Sequence, residues 1–159
     1  MDRLNKILSD ERYVLYLNKI KLHEKGRKFC KHNTKHFLAV SRIAYIMCLE
    51  KKLDIKKDII YAIGFLHDIG RWKQYESKIP HEKASAALSR SILERCGYTK
   101  TETRVIISAI ENHRNSNNTP IILNNIIYKS DKLSRNCFNC KVQNECDWTI
   151  EMKNLMIKY

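Results

Sequence analysis

Apolar residues recur along most of this chain at intervals of three and four, the spacing of one face of an α-helix. From Leu4 to about Leu22, the positions Leu4, Ile7, Leu8, Leu15, Ile20 and Leu22 follow one loose helix. Basic residues then gather between Lys19 and Lys35, with Gly26 as a break. Asn33 or Thr34 caps a helix whose face runs His36, Phe37, Val40, Ile43, Ala44, Met47. The next stretch, entered through LDIKKD, is Ile59–Arg71, IIYAIGFLHDIGR. Its face is Ile59, Ala62, Ile63 and Leu66, and Gly70 is the expected left-handed stop. A polar loop is expected over Arg71–Pro80, then a helix from near His81 to Cys96 ended by Gly97. Thr99 and Glu102 form a capping box for a helix carrying Val105, Ile106, Ala109, Ile110 and His113. Arg114–Asn118 reads as a loop. Thr119 and Pro120 read as cap and first residue of a helix carrying Leu123, Ile126, Ile127 and Asp131. A last short helix is expected from roughly Trp148 to Ile157. There is no strand pattern, repeat or linker. The fold expected is all-α, one compact bundle of about six or seven helices over residues 1–159, with a cysteine-containing tail, 136–159.

Composition agrees with that reading, with 43% apolar residues, four Gly and two Pro. The formal charge of +13 suits an anionic partner. Heavy use of Lys, Ile and Asn offers a duller source for it, so the charge permits a phosphate substrate without demonstrating one. No aromatic–basic motif supports nucleic-acid binding. No run of eighteen apolar residues suggests a membrane span. The opening MDRLNKILSDERY has charges where a signal peptide needs its apolar region. The expectation is a cytoplasmic protein with reduced thiols and no membrane partner, a homodimer being left open.

The candidate chemistry lies at helix ends. His36 starts one helix, His67 and Asp68 end the next, His81 starts a third, His113 ends a fourth, and Asp131 lies late in a fifth. A lone histidine on an apolar face is usually a hydrogen-bonded core residue. Six residues sharing one placement are harder to dismiss, because a bundle can bring such positions to a single internal point. One divalent ion would take His36, His67, Asp68 and Asp131. Mixed nitrogen and oxygen donors suit Fe, Mn, Ni, Co or Zn better than Ca or Mg. If Asp68 uses its second oxygen, His81 and His113 complete a second site, and a bridging carboxylate between two ions is a hydrolytic arrangement.

The order His36, His67–Asp68, Asp131 resembles the H…HD…D signature of the HD-domain metal-dependent phosphohydrolases. With His81 and His113 it resembles the five-point H…HD…H…H…D variant of dinuclear members. These include symmetrical diadenosine-tetraphosphate hydrolases, cyclic-dinucleotide phosphodiesterases and, more distantly, myo-inositol oxygenase. The resemblance covers residues 30 to 135 and includes LHDIGR. It implies a helical HD fold. It also implies that His36, His67, Asp68 and Asp131 bind a first metal and Asp68, His81 and His113 a second. No GYP sequence follows the pair, and IPHEKAS around His81 departs from the His–Gly pattern of the diadenosine-tetraphosphate hydrolases. The resemblance therefore names a chemistry and not a substrate.

The expected activity is hydrolysis of a phosphate ester or anhydride of a nucleotide or other small phosphorylated molecule. Alternatives are a regulatory module that binds metal or nucleotide without turnover, and a dinuclear-iron oxygenase. Arg71, Arg114 and Lys132 flank the ligands and are the candidate catalytic and phosphate-binding cations, with Asp68. Lys73 is a further substrate-binding candidate, and Tyr75 and Lys78 are weaker ones. In the tail, Cys137-x2-Cys140-x5-Cys146 has one pair at metal-ligand spacing but is one donor short of a closed zinc site. Cys30 or His32 is the candidate fourth ligand. Reduced, partly buried thiols are the plainer reading. Cys48 and Cys96 read as helix-packing residues.

Overall fold

The helix Lys57–Leu66 is apolar almost all round, and the remaining helices pack about it. A computed structural model describes residues 1–115 and 120–159. Among these the α-helices, numbered in chain order, are α1 (Asp2–Ser9), α2 (Glu11–His23), α3 (Thr34–Glu50), α4 (Lys57–Leu66) and α5 (Arg71–Ser77). They continue with α6 (His81–Arg95), α7 (Lys100–Asn112) and α8 (Ile122–Leu133). No strand occurs among the described residues. In α4, Ile60, Gly64 and Phe65 are buried along with the expected Ile59, Ala62, Ile63 and Leu66. A helix apolar on every side belongs in the middle. It touches α1, α3, α6 and α7, while α3 also packs on α8, and α6 on α7.

Close approach within this core depends on a missing side chain. A Cβ on Gly64 would stand 2.1 Å from Ser41 Oγ and 3.0 Å from Ser41 Cα, so glycine lets α4 seat against α3. The α7 capping box is present, with Thr99 accepting from Glu102 N and Glu102 accepting from Thr99 N. Asn33 caps α3 by accepting from His36 N at 3.1 Å. Gly97 has φ +83 and ends α6 in the left-handed region.

Several expectations are corrected. The first helix is two, broken at Asp10, whose carboxylate accepts from Arg12 N and Tyr13 N and is gripped by Arg95 at 2.9 Å. Tyr13 and Ile20 are buried there, while Leu15 and Leu22 are exposed. The polar stretch after Gly70 is helix α5 and not a loop. It is held down by Trp72, which stacks on Tyr16 at 5.7 Å under the ammonium of Lys19. Gly70 has φ −89 and is no left-handed cap; the chain continues directly into α5. Helix α8 begins at Ile122, two residues past Pro120, and Thr119 lies outside the described residues. Val105 faces outward and Ile107 inward. Residues 148–157 form turns and no helix. Ile150, Met152, Met156 and Ile157 there are exposed, and ten residues without a packed face do not sustain a helix.

One polar hub ties the N-terminus to the bundle. Arg3 donates to Asp58 Oδ2 at 2.6 Å and to Glu102 Oε2 at 2.6 Å, and its guanidinium lies over the Tyr98 ring. The hydrogen bond from Arg3, helped by the backbone of Thr99, holds the Glu102 carboxyl down to about 2. A depressed carboxyl contributes stability that is full above its unfolded value, about 4.5, and is lost as pH falls towards 2. Glu102→Gln should therefore be less stable than the wild type in urea at pH 6, with the difference shrinking by pH 3. A difference independent of pH over that range would refute this account.

Candidate metal centre

Five helix termini deliver the six candidate side chains to one buried point. His36 lies in the first turn of α3, and His67 and Asp68 in the turn leaving α4. His81 opens α6, His113 follows α7, and Asp131 lies in the last turn of α8. All six are buried, His67 completely.

Second partners orient the rings. His67 Nδ1–H donates to Gly64 O at 2.8 Å and His113 Nδ1–H to Ile110 O at 2.7 Å. Ser134 Oγ donates to Asp131 O and so accepts from His36 Nδ1–H at 3.0 Å. Each of these rings thereby turns an unprotonated Nε2 inward, the tautomer a metal ligand needs. His81 Nδ1 faces Gln74 Oε1, with the Arg71 guanidinium 2.7 Å away, and its Nε2 also points inward.

The inward atoms sort into two sets around Asp68. Its Oδ2 lies 3.2 Å from His67 Nε2 and 3.6 Å from His36 Nε2. His36 Nε2 is in turn 3.3 Å from Asp131 Oδ1. Asp68 Oδ1 lies 3.1 Å from His81 Nε2 and 3.6 Å from His113 Nε2. The donor atoms of His36, His67, Asp68 and Asp131 fall within 4.8 Å of one another, as do those of Asp68, His81 and His113. This is the partition expected from the sequence.

The arrangement fits a bound cation. His67 Nε2 and Asp68 Oδ1 are buried with no hydrogen-bond partner, an expensive condition unless another group satisfies them. His81 Nε2 and His113 Nε2 face each other at 3.2 Å. Burial alone would raise the Asp68 carboxyl; the surrounding imidazoles, His67 and His32 foremost, outweigh it and hold it well below the usual range. Asp131 is likewise held down against burial, by His36, Arg135 and Lys132. Burial pushes His81 down to about 2. Ionised carboxylates and neutral imidazoles are the forms that bind divalent metals.

The flanking cations are differently placed. Lys132 Nζ donates to Asp131 Oδ2 at 2.8 Å. Arg71 lies against His81 and donates to Tyr75 at 3.3 Å. Arg114 is exposed, 3.6 Å from Glu82. All three line one cavity of about 620 Å³ whose floor includes Asp68, His81, His113 and Asp131. Lys73 is not in that lining, and its ammonium lies over the Trp72 ring.

Sequence reasoning missed Arg135 and Glu24 and misplaced His32. Arg135 is buried, with NH2 donating to His36 Nε2 at 3.1 Å and to Asp131 Oδ1 at 3.5 Å. Its spacing, four residues after Asp131 and just past the end of α8, was the available signal. His32 is not in the cysteine tail but at this centre. Its Nε2 lies 3.7 Å from Asp68 Oδ2, and its Nδ1 is paired with the buried Glu24 carboxylate, which also accepts from Tyr75 at 2.7 Å. Both come from irregular segments, where periodicity is silent.

Residues 34–136, about two thirds of the chain, match the HD domain family. The chain belongs to that family, a superfamily of metal-dependent hydrolases. An uncharacterized protein of Clostridium beijerinckii is 46% identical over 159 residues, the whole of this chain and the whole of its own. No solved structure matches.

Asp68 contributes an oxygen to each set, so Asp68→Ala should lose manganese binding at both, whereas His81→Ala should lose only the weaker half of the titration. Calorimetric titration of metal-stripped protein with Mn²⁺ checks this. Full stoichiometry in Asp68→Ala would refute the bridging role.

Proposed function

We infer that this protein hydrolyses a phosphate ester or anhydride of a small phosphorylated molecule, a nucleotide foremost. One observation carries the reading: Asp68 turns each carboxylate oxygen to a separate pair of histidines at the floor of a cationic cavity. His36, His67, Asp68 and Asp131 would hold one divalent ion, and Asp68, His81 and His113 a second. Divalent ions there supply Lewis-acid activation of water and of a phosphoryl oxygen.

The chain's own groups do the rest. Eight lysines and arginines line the cavity against three aspartates, Asp68, Asp131 and Asp147. This balance draws an anion inward. Arg71, half-buried beside His81, is placed to offset charge on the transferring phosphoryl oxygens. Arg114 is free to swing from Glu82 to a more distal phosphate. Lys132 holds Asp131 in place and adds a point charge. Trp148 and Phe29 offer flat apolar surface for a base. The cavity is large enough to enclose a nucleotide-sized ligand.

The test is a phosphate-release screen over nucleoside monophosphates, dinucleoside polyphosphates and sugar phosphates, with Mn²⁺, Co²⁺ or Ni²⁺ restored to stripped protein. Metal-dependent release is expected, with Arg71→Ala lowering kcat/KM about a hundredfold. Metal-replete protein that neither releases phosphate nor splits a dinucleoside polyphosphate into nucleotides would refute hydrolysis and favour a binding module. Oxygen consumption would favour the oxygenase.

A further inference from the structure

The tail 136–159 has no core of its own, yet it forms one wall of the cavity. It contains two single-turn 3-10 helices, Cys137–Asn139 and Gln143–Glu145, and otherwise turns. Cys137 is its one buried apolar residue, and Phe138, Ile150 and Met156 are exposed. A unit this small and irregular ordinarily needs a disulfide or a metal to hold it. No disulfide is present: all six cysteines are free.

Four of those cysteines line one cavity. Cys140 N donates to Cys137 O, Gln143 N to Cys140 O and Cys146 N to Gln143 O, so consecutive tight turns hold the three tail cysteines in one short coiled stretch. Gln143 Nε2 fastens the coil by donating to Cys137 O at 2.6 Å. Cys30 lies in the segment before α3, which is tied across to the tail by the Lys28–Glu145 ion pair and to Arg135 by its bond to Lys31 O at 3.4 Å.

We propose that Cys30, Cys137, Cys140 and Cys146 form a structural zinc site, separate from the His/Asp centre, which anchors the tail as a wall of the substrate cavity. Four thiols on a Cys-x2-Cys framework match a closed tetrahedral zinc site. On binding, each thiol gives its proton to solvent and its sulfur to the metal.

The backbone N–H of Asn154 already donates to Cys137, a bond of the kind that supports metal-bound thiolate. Among the described residues, only the His/Asp sets bring three donors within 4.8 Å. Sulfurs on one zinc stand about 3.8 Å apart, so binding draws the four inward. Cys30, exposed and in coil, has room to make that move.

The test uses full-length protein, reduced, stripped of metal and reloaded with Co²⁺. Near-ultraviolet thiolate-to-cobalt charge-transfer absorption is expected at about one equivalent per chain. It should persist in Asp68→Ala, whose His/Asp centre is disabled, and vanish in Cys140→Ser. In wild-type protein, which removes any doubt about folding of the variant, Zn²⁺ should shield Cys30, Cys140 and Cys146 from a thiol reagent until a chelator is added. Absence of the absorption in folded wild type, thiols reactive despite Zn²⁺, or purified protein carrying iron with acid-labile sulfide would each overturn the proposal. None of these readouts involves phosphate release, so the site and the hydrolase reading fail independently.

Discussion

Two carboxylates, Asp68 and Asp131, are buried among imidazoles in the middle of a helical bundle, and much of the structure answers to that constraint. An ionised carboxylate away from water is tolerated only with close compensation. Here the compensation arrives from every side. Lys132 comes from the same helix as Asp131 and Arg135 from just past its end, Arg71 from the next turn after Asp68, and the rings from four other segments. The apolar surfaces of α3, α4 and α8 fix where these groups can go, because packed helices tolerate little sliding. A rigid bundle thus turns scattered helix ends into a polar point with defined atom order.

The helices and the centre differ in how far the sequence discloses them. His36, His67, Asp68, His81, His113 and Asp131 are legible because each ends or begins an apolar periodic run, and periodicity reports which face is buried. The partition into two sets is implied by the family resemblance, and the donor atoms of each set lie within 4.8 Å of one another. The helix α5 is hidden because RWKQYES has one buried residue, Trp72, and its stability comes from Tyr16 and Lys19, more than fifty residues away in the chain. Likewise the pairing of His32 with Glu24 is a contact between two irregular stretches, invisible to any local pattern. The absent tail helix errs the other way: its apolar spacing has no partner surface to meet.

The centre and the cavity above it are built from different materials. Helix termini hold the Asp68 cluster, each ring fixed by a backbone carbonyl, a hydroxyl or an amide. The opposite wall is turns and coil carrying Trp148, Lys141 and Cys146. The rigid half suits positioning of reacting atoms, for which small displacements matter most. The irregular half suits recognition of whatever part of the substrate does not react, as loops on a scaffold commonly do.

Gly70 has a consequence of its own. It stands between Asp68 and Arg71, and its amide donates to Ser85 Oγ at 2.9 Å; a Cβ there would fall 2.3 Å from Ser85 N and 2.6 Å from Ala84 C. Ser85 is one turn along α6 from His81. The absence of a methyl group therefore acts as a feeler gauge between two helices, setting how near His81 stands to the carboxylate it faces. The working gap of the centre is calibrated by a hydrogen atom on a residue that touches none of the chemistry.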